Sequence, residues 1–461
     1  MHQFHPSILR AYDIRGVVGE TLSAKDAFAL GQAFAAMLIR AGGKSVAVAR
    51  DGRASSPELE NSLVNGLRST GVDVHQLGLG PTPMLYFGVK HLNLDAGVMV
   101  TGSHNPPTHN GFKMVMLDKP FYGDDILALG KLAATVDGAA RGGSKLQTHD
   151  LRDVYAARLA SDYRAATGLK VVWDAGNGAA GAVLKNITDR LPGTHELLFA
   201  DVDGKFPNHH PDPTVPENLR DLQRRVAETS ADVGIAFDGD GDRIGVVDRN
   251  GRIVWGDQLL AILARDVLAR HPGATIIADV KASQVLFDEI KRLGGVPLMW
   301  RTGHSLIKAK MKETGAPIAG EMSGHMFFAD GYYGFDDGLY CAVRLLNYLA
   351  ASGQDLAALL DELPRVVNTP ELRIPVDEAR KFAVMEEIKS RLQKNPDLQV
   401  NDVDGVRVTT PDGWWLLRAS NTQAALVGRA EGKNEAALDR LTALLKEQLA
   451  ASGVAFILGG H

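Results

Sequence analysis

Cysteine is nearly missing from this chain: Cys341 stands alone among 461 residues. That excludes an intramolecular disulfide framework and fits a reducing compartment. Its setting, Leu339-Tyr340-Cys341-Ala342-Val343, predicts a buried core thiol rather than a nucleophile. Long hydrophobic runs are missing too. No stretch reaches the roughly 18 apolar residues of a membrane span, and Met1-His2-Gln3-Phe4-His5-Pro6 has neither the basic start nor the apolar segment of an export signal. A cytoplasmic location with no membrane partner is expected. Nor is positive charge in excess, with 50 Lys and Arg against 55 Asp and Glu for a net charge of -5. No nucleic-acid partner is implied, and an anionic ligand has to be held by a few local cations.

What is present is ordinary for a globular chain, and its length suggests about three or four domains rather than one core. Helical periodicity over 26–41, 56–70 and 81–91 alternates with strand-like 44–50, 72–77 and 96–100. This rhythm implies a mainly parallel sheet covered on both faces, with ligand sites at the carboxyl ends of strands. A helix over 150–166 leads to a second unit that opens with strand 169–173 and ends with strand 233–237; a third runs from helix 257–269 through strand 275–278 to 317–325. After Pro364, short strands at 372–374, 406–410, 414–418 and 424–429, with helices at 379–393 and 434–451, predict an antiparallel sheet. The expected fold class is α/β: three similar mixed α/β domains over 1–149, 150–253 and 254–364, then a C-terminal α+β domain over 365–461. In each of the first three an apolar strand ends in a polar, glycine-containing loop, which suggests three loops facing one cleft.

The first such loop is Thr101-Gly102-Ser103-His104-Asn105-Pro106-Pro107. Its prolines stop the backbone from running on into a helix, which presents Ser103 on an exposed turn. A hydroxyl between a glycine and an imidazole is a candidate phosphoryl or acyl acceptor if neighbours activate it; alone, such a serine is a turn former. The second loop is Asp238-Gly239-Asp240-Gly241-Asp242-Arg243. Spacing by two puts three carboxylates on one side of an extended backbone, and their mutual repulsion calls for a hard divalent cation. An EF-hand is excluded, because Arg243 stands where its glycine belongs and Arg249 where its glutamate belongs. Three protein oxygens leave positions open for water or phosphate, which favours Mg²⁺. The Gly-rich turn over 174–181 lacks dinucleotide-binding spacing and reads as structural.

Glu321, Ser323 and His325 alternate on the third loop, a pattern suited to vicinal sugar hydroxyls or, more plainly, to a capping carboxylate. Arg418-Ala419-Ser420-Asn421-Thr422 offers a guanidinium, hydroxyls, an amide and turn N–H groups that can surround a phosphate dianion, with Arg429 further along; a polar hairpin is the alternative. Tyr12 and Arg15 in Arg10-Ala11-Tyr12-Asp13-Ile14-Arg15-Gly16, together with Lys113, lie within possible reach of the Ser103 loop. Lys281, Arg301 and His304 sit on polar turns after strands.

Together these residues resemble the α-D-phosphohexomutase superfamily. Thr101 to Pro106 is similar to its phosphoserine loop, Asp238 to Arg243 to its metal loop, Gly320-Glu321-Met322-Ser323-Gly324-His325 to its sugar loop and Arg418 to Thr422 to its phosphate loop. The Glu-Met-Ser-Gly-His form resembles the bacterial phosphomannomutase/phosphoglucomutase branch, whereas branches acting on glucosamine phosphates usually have Gln where Met322 stands. Gln423 and Ala424 follow Thr422 where a proline is common.

The resemblance implies four domains around a central cleft, the last able to rotate. It implies an isomerase in which phosphorylated Ser103 donates to a hexose 1- or 6-phosphate, with glucose 1,6-bisphosphate or mannose 1,6-bisphosphate as intermediate and activator. One Mg²⁺ would sit on Asp238, Asp240, Asp242 and an oxygen of phosphorylated Ser103. His104, Lys113, Arg15, Arg243 and His304 would surround the transferring group. Tyr12, Lys281, Glu321, Ser323, His325, Arg418, Ser420, Asn421 and Thr422 would hold the substrate. Contacts confined to the sugar's 3- and 4-hydroxyls would accept glucose and mannose alike. A Mg²⁺-dependent sugar-phosphate phosphatase and a non-catalytic sugar-phosphate binding protein are the competing readings. Hexose phosphates are the expected partners, and a monomer or weak dimer the expected state.

Overall fold

A computed structural model describes residues 2–135, 143–395, 398–420 and 424–456. The all-apolar runs become central strands because both of their faces are covered. Ser45–Arg50 pairs in parallel with Asp73–Leu79 on one side and Ala96–Val100 on the other. The helices Ala24–Arg40, Ser56–Ser69 and Thr82–His91 connect them, the first capped by a Ser23/Asp26 capping box and the second begun by a proline in its first turn. His109–Met116 then returns antiparallel to Ala96–Val100, and Ile14–Val17 pairs beyond it.

One arrangement occurs three times. A parallel strand ends, a short functional loop turns, and an antiparallel strand comes straight back: Ala96–Val100 to His109–Met116, Val233–Phe237 to Ile244–Asp248, and Ile318–Gly320 to Met326–Phe328. The Ser103, Asp238 and Glu321 loops occupy these hairpins, at the carboxyl ends of parallel strands. Each of these three sheets consequently joins antiparallel strands to its parallel ones. From Leu372–Pro375 onward the strands pair only antiparallel, with Ala425–Gly432 between Leu372–Pro375 and Gly413–Ala419.

The core shows which parts are packed together. A single apolar cluster runs through Met84 and Phe87 of the first sheet's layer, Trp173 and Phe237 of the second, and Leu260 and Ile318 of the third. The C-terminal sheet has its own core around Ile374, Leu417 and Leu441. It meets the third layer through Val280, Trp414 and Leu416. Arg407 spans that seam, donating to the carbonyls of Val280 and Ala282 at 2.7 and 2.6 Å with its guanidinium stacked on Trp414. Three layers thus share one interior, and the fourth is fastened by a polar clasp.

Two expectations change. The helix expected over 150–166 spans only Arg152–Ala160. The N–H groups of Arg164 and Ala165 donate instead to Asn347 Oδ1, at 2.7 and 3.1 Å, and so leave the helical ladder. Ser103 is not on an exposed turn but is 1% exposed, because a loop of the second unit closes over it. Cys341 is buried as expected, and burial pushes its thiol far above the usual range. Among the described residues no helix is long and apolar enough to cross a membrane.

Candidate active site

Ser103 adopts φ 49°, a left-handed conformation that a residue with a Cβ seldom takes. Its N–H donates to Thr101 Oγ1 at 2.8 Å, and Thr101 Oγ1 donates to Asp51 Oδ2 at 2.8 Å. Its carbonyl accepts from Arg53, and the next carbonyl, of His104, accepts from His210 of the second unit. With the backbone so fixed, Ser103 Oγ donates to Asp238 Oδ2 at 2.9 Å and lies 3.2 Å from His104 Nδ1. The serine and aspartate loops are in direct contact, since a Cβ on Gly239 would stand 2.3 Å from the Ser103 carbonyl oxygen.

Asp238, Asp240 and Asp242 are wholly buried, with ligand oxygens within 4.8 Å of one another. Burial first, then the neighbouring carboxylates, push Asp238 well up. Asp240 goes the other way despite its burial, because Lys113 Nζ sits against it at 2.7 Å. Lys113 also donates to Asp242. Burial would strip this lysine of its proton, but Asp240 and Asp242 outweigh it and hold the group charged. Asp240 Oδ1 and Asp242 Oδ1 are buried without hydrogen-bond partners. Orphaned carboxylate oxygens beside a lodged ammonium are a donor set that fits a divalent cation.

The third loop lies alongside. Arg243 and His325 form an antiparallel bridge, and Arg243 Nε donates to His325 Nε2 at 3.0 Å. An acceptor role at Nε2 puts the ring proton on Nδ1, which faces Asp336 Oδ2 at 3.0 Å. His304 stacks on His325 with ring centroids 5.4 Å apart. Burial pushes the His104 and His304 imidazoles well down, so both are neutral bases. Glu321, pushed up by burial, accepts from the Gly303 N–H at 2.6 Å. Ser323 is half-buried on the same loop.

The peptide around Thr302 ties this loop to two other parts of the chain. Its carbonyl accepts from the Tyr12 hydroxyl at 2.8 Å, and its N–H donates to Asp404 Oδ2 at 3.0 Å. Asp404 Oδ2 accepts Arg418 Nε at 2.9 Å as well, so the buried guanidinium of the fourth loop is linked to the sugar-loop side. Ser420 is buried beside it, and its carbonyl accepts from Lys381 Nζ at 2.7 Å. Asn421 and Thr422 lie outside the described residues. Lys281 Nζ is 3.3 Å from Glu371 Oε2, and Arg429 donates to the Lys281 carbonyl and to Met322 Sδ. Arg15 donates to Asn105 Oδ1 at 2.7 Å, which brings it to the serine loop; Arg10 and Arg301 are exposed.

Sequence reasoning missed several members of this constellation. Asp51 and Arg53 follow a strand in the same Asp-Gly pattern as Asp238-Gly239, a signal that was available. Thr82 donates to Asp240 and follows a proline opening a helix, which is a weaker signal. Asp336, Asp404 and His210 had none, since their partners are remote in sequence.

Four family models match in order: the alpha/beta/alpha domains I, II and III of phosphoglucomutase/phosphomannomutase over residues 6–129, 152–251 and 255–367, and its C-terminal domain over 371–448. A phosphomannomutase/phosphoglucomutase of Pseudomonas aeruginosa is 46% identical over 445 residues, 96% of each chain. A phosphoglucomutase of Neisseria gonorrhoeae is 43% identical over 94% of this chain and 95% of its own. The crystal structure of a phosphoglucomutase/phosphomannomutase family protein from Burkholderia thailandensis superposes with a TM-score of 0.92 at 44% identity, covering 100% of this chain and 99% of that one.

Proposed function

The chain belongs to the phosphoglucomutase/phosphomannomutase family, and on that premise we propose that it is a phosphohexomutase interconverting the 1- and 6-phosphates of glucose and mannose. The observation that supports this best is the buried Ser103 hydroxyl 2.9 Å from Asp238 in a cluster of three carboxylates. In the proposed cycle the phosphoryl group leaves Ser103 Oγ for a free hexose hydroxyl: the P–Oγ bond breaks, a P–O bond to the sugar forms, the hydroxyl proton passes to a base, and Ser103 Oγ takes up a proton in turn. The resulting hexose 1,6-bisphosphate turns end for end and returns its other phosphoryl group to Ser103.

Mg²⁺ held by Asp238, Asp240, Asp242 and an oxygen of phosphorylated Ser103 would supply charge stabilisation for the transfer. Lys113, bonded to Asp240 and Asp242, and Arg15 and Arg243, beside the serine and aspartate loops, supply fixed positive charge that stabilises the transferring group. His104 and His304, held neutral, and His325, which faces Asp336, are the groups able to take or return the sugar hydroxyl's proton. Glu321 and Ser323 would bind the 3- and 4-hydroxyls. Arg418, Ser420, Asn421, Thr422, Lys281 and Tyr12 would hold the phosphate that is not reacting.

A phosphatase has no use for a second anion cradle and needs water at a serine that is 1% exposed. A binding protein has no use for a nucleophile held against metal-type carboxylates. All the proposed residues come from one chain, so a monomer or weak dimer suffices. The deciding experiment couples turnover of glucose 1-phosphate and mannose 1-phosphate with intact-mass analysis. Isomer interconversion without phosphate release, with an added ~80 Da on Ser103 as one phosphoryl group requires, is expected. Release of inorganic phosphate as the main product would overturn the reading.

A further inference from the structure

We propose that Arg53 is a positioning residue of the phosphoserine loop: buried beneath the loop, its guanidinium gathers four loop carbonyls and thereby sets the direction in which the Ser103 hydroxyl is offered. This rests on the mutase reading, and names a residue that the sequence motifs do not contain.

A guanidinium has five N–H donors in a fixed plane, and every contact they make here is to the loop or its buttress. Nη2 donates to the carbonyls of Ser103 and Asn105 at 2.6 and 2.7 Å. Nη1 donates to those of Pro106 and His109 at 2.6 and 3.0 Å. Nε donates to Asp51 Oδ2 at 3.1 Å. Asp51 in turn accepts from Thr101 Oγ1 at 2.8 Å and from the Gly102 N–H at 3.1 Å. The loop is therefore wrapped around one Asp–Arg pair. The fit is tight, since a Cβ on Gly102 would stand 2.5 Å from Arg53 Cζ.

Packing alone does not call for this arrangement. Arg53 is 1% exposed, and burying a full charge is costly unless every donor is satisfied. Burial pulls its pKa below the usual arginine value even with Asp51 beside it. What the charge accomplishes is directional: four carbonyl dipoles are held on the guanidinium, and the backbone from which the Ser103 side chain departs is fixed with them. That same pull holds Ser103 at φ 49°, which the chain would otherwise relax. Phe206, from the second unit, lies 5.2 Å over the guanidinium and closes the nest from outside. Arg53 touches neither the Ser103 hydroxyl nor the carboxylate cluster, so its effect is on aim.

The test uses full-length enzyme with Mg²⁺: wild type, Arg53→Lys and Arg53→Ala. Three readouts are taken: kcat and KM on glucose 1-phosphate, the rate at which glucose 1,6-bisphosphate phosphorylates the dephosphorylated protein, and Tm. Lysine keeps the charge but has neither the fork nor five donors. In Arg53→Lys, kcat and the phosphorylation rate are expected to fall about 100-fold, the scale of a misaimed nucleophile, with KM within about threefold of wild type. Guanidinium ion added to Arg53→Ala is expected to raise its phosphorylation rate about tenfold, the partial recovery of a displaced donor array. An Arg53→Lys enzyme that is phosphorylated as fast as wild type overturns the inference. So does a loss of kcat that only matches the loss of folded protein, or two variants that both fail to fold. A wild-type protein that neither takes up phosphate from the bisphosphate nor turns over would instead overturn the mutase reading itself.

Discussion

Lys113 Nζ donates to Asp240 Oδ2 at 2.7 Å and holds, with one ammonium, a cluster of carboxylates suited to a divalent ion. Removing the lysine leaves buried negative charge unpaired, which costs about 3 to 5 kcal/mol when one partner of a buried pair is lost. Lys113→Met is therefore expected to lower Tm in EDTA markedly. Saturating Mg²⁺ is expected to raise its Tm by more than it raises that of wild type. Thermal melts across a Mg²⁺ titration check this, and a variant whose Tm ignores Mg²⁺ would contradict it.

Ser103→Ala removes the proposed phosphoryl carrier while leaving Arg418, Glu321 and their partners in place. Turnover is expected to fall by about 10⁴-fold or more, the scale seen when a covalent nucleophile is deleted. Binding of glucose 1-phosphate, measured by calorimetry, is expected to change by less than about tenfold, which is 1.4 kcal/mol.

Glu321 is buried and accepts from the Gly303 N–H. If its other oxygen binds hydroxyls common to both sugars, Glu321→Ala loses a hydrogen bond to a charged group, worth about 1.5 to 3 kcal/mol. The kcat/KM for glucose 1-phosphate and for mannose 1-phosphate is then expected to fall by the same factor, between about 10- and 150-fold. A loss confined to one sugar would place Glu321 near the 2-position instead.

Asp404 joins Arg418 Nε to the Thr302 N–H. Asp404→Ala frees the guanidinium and loosens the C-terminal sheet from the sugar loop. KM for hexose phosphates is expected to rise about tenfold, with kcat changed less, as for a lost binding contact. Steady-state kinetics on both substrates decide it.

Asp337 caps the helix Gly338–Ser352 and accepts from the hydroxyls of Tyr155 and Tyr332 at 2.8 and 2.7 Å. Burial, against these hydrogen bonds, pushes its carboxyl up to about 7. A raised carboxyl favours the fold fully below its unfolded value of about 3.9, and that contribution is lost as pH rises through the folded value. Wild-type stability relative to Asp337→Asn is thus expected to fall between about pH 4 and pH 7. Denaturant titrations at pH 5 and pH 8 measure the difference.

The serine and aspartate loops were legible because their chemistry needs Gly102-Ser103-His104 or Asp238-Gly239-Asp240 contiguous in one turn, and their strands are apolar on both faces. The antiparallel texture after Pro364 was legible because short strands follow one another there with few residues between them. Burial of Ser103 was not: it depends on the second unit's loop, whose His210 reaches the His104 carbonyl. Nor was the early end of the helix at Ala160, beyond which Asn347 holds the Arg164 N–H from 183 residues away. Asp336 and Asp404 were silent because an isolated aspartate in a turn looks like any other cap. Arg53 could have been suspected from its place after a strand, but its five acceptors emerge only once the chain is folded.

The contact between Gly239 and the Ser103 carbonyl has a consequence for how such a gene can vary. Any single-base replacement of that glycine adds at least a methyl group at 2.3 Å, and so prises the nucleophile off its acid cluster.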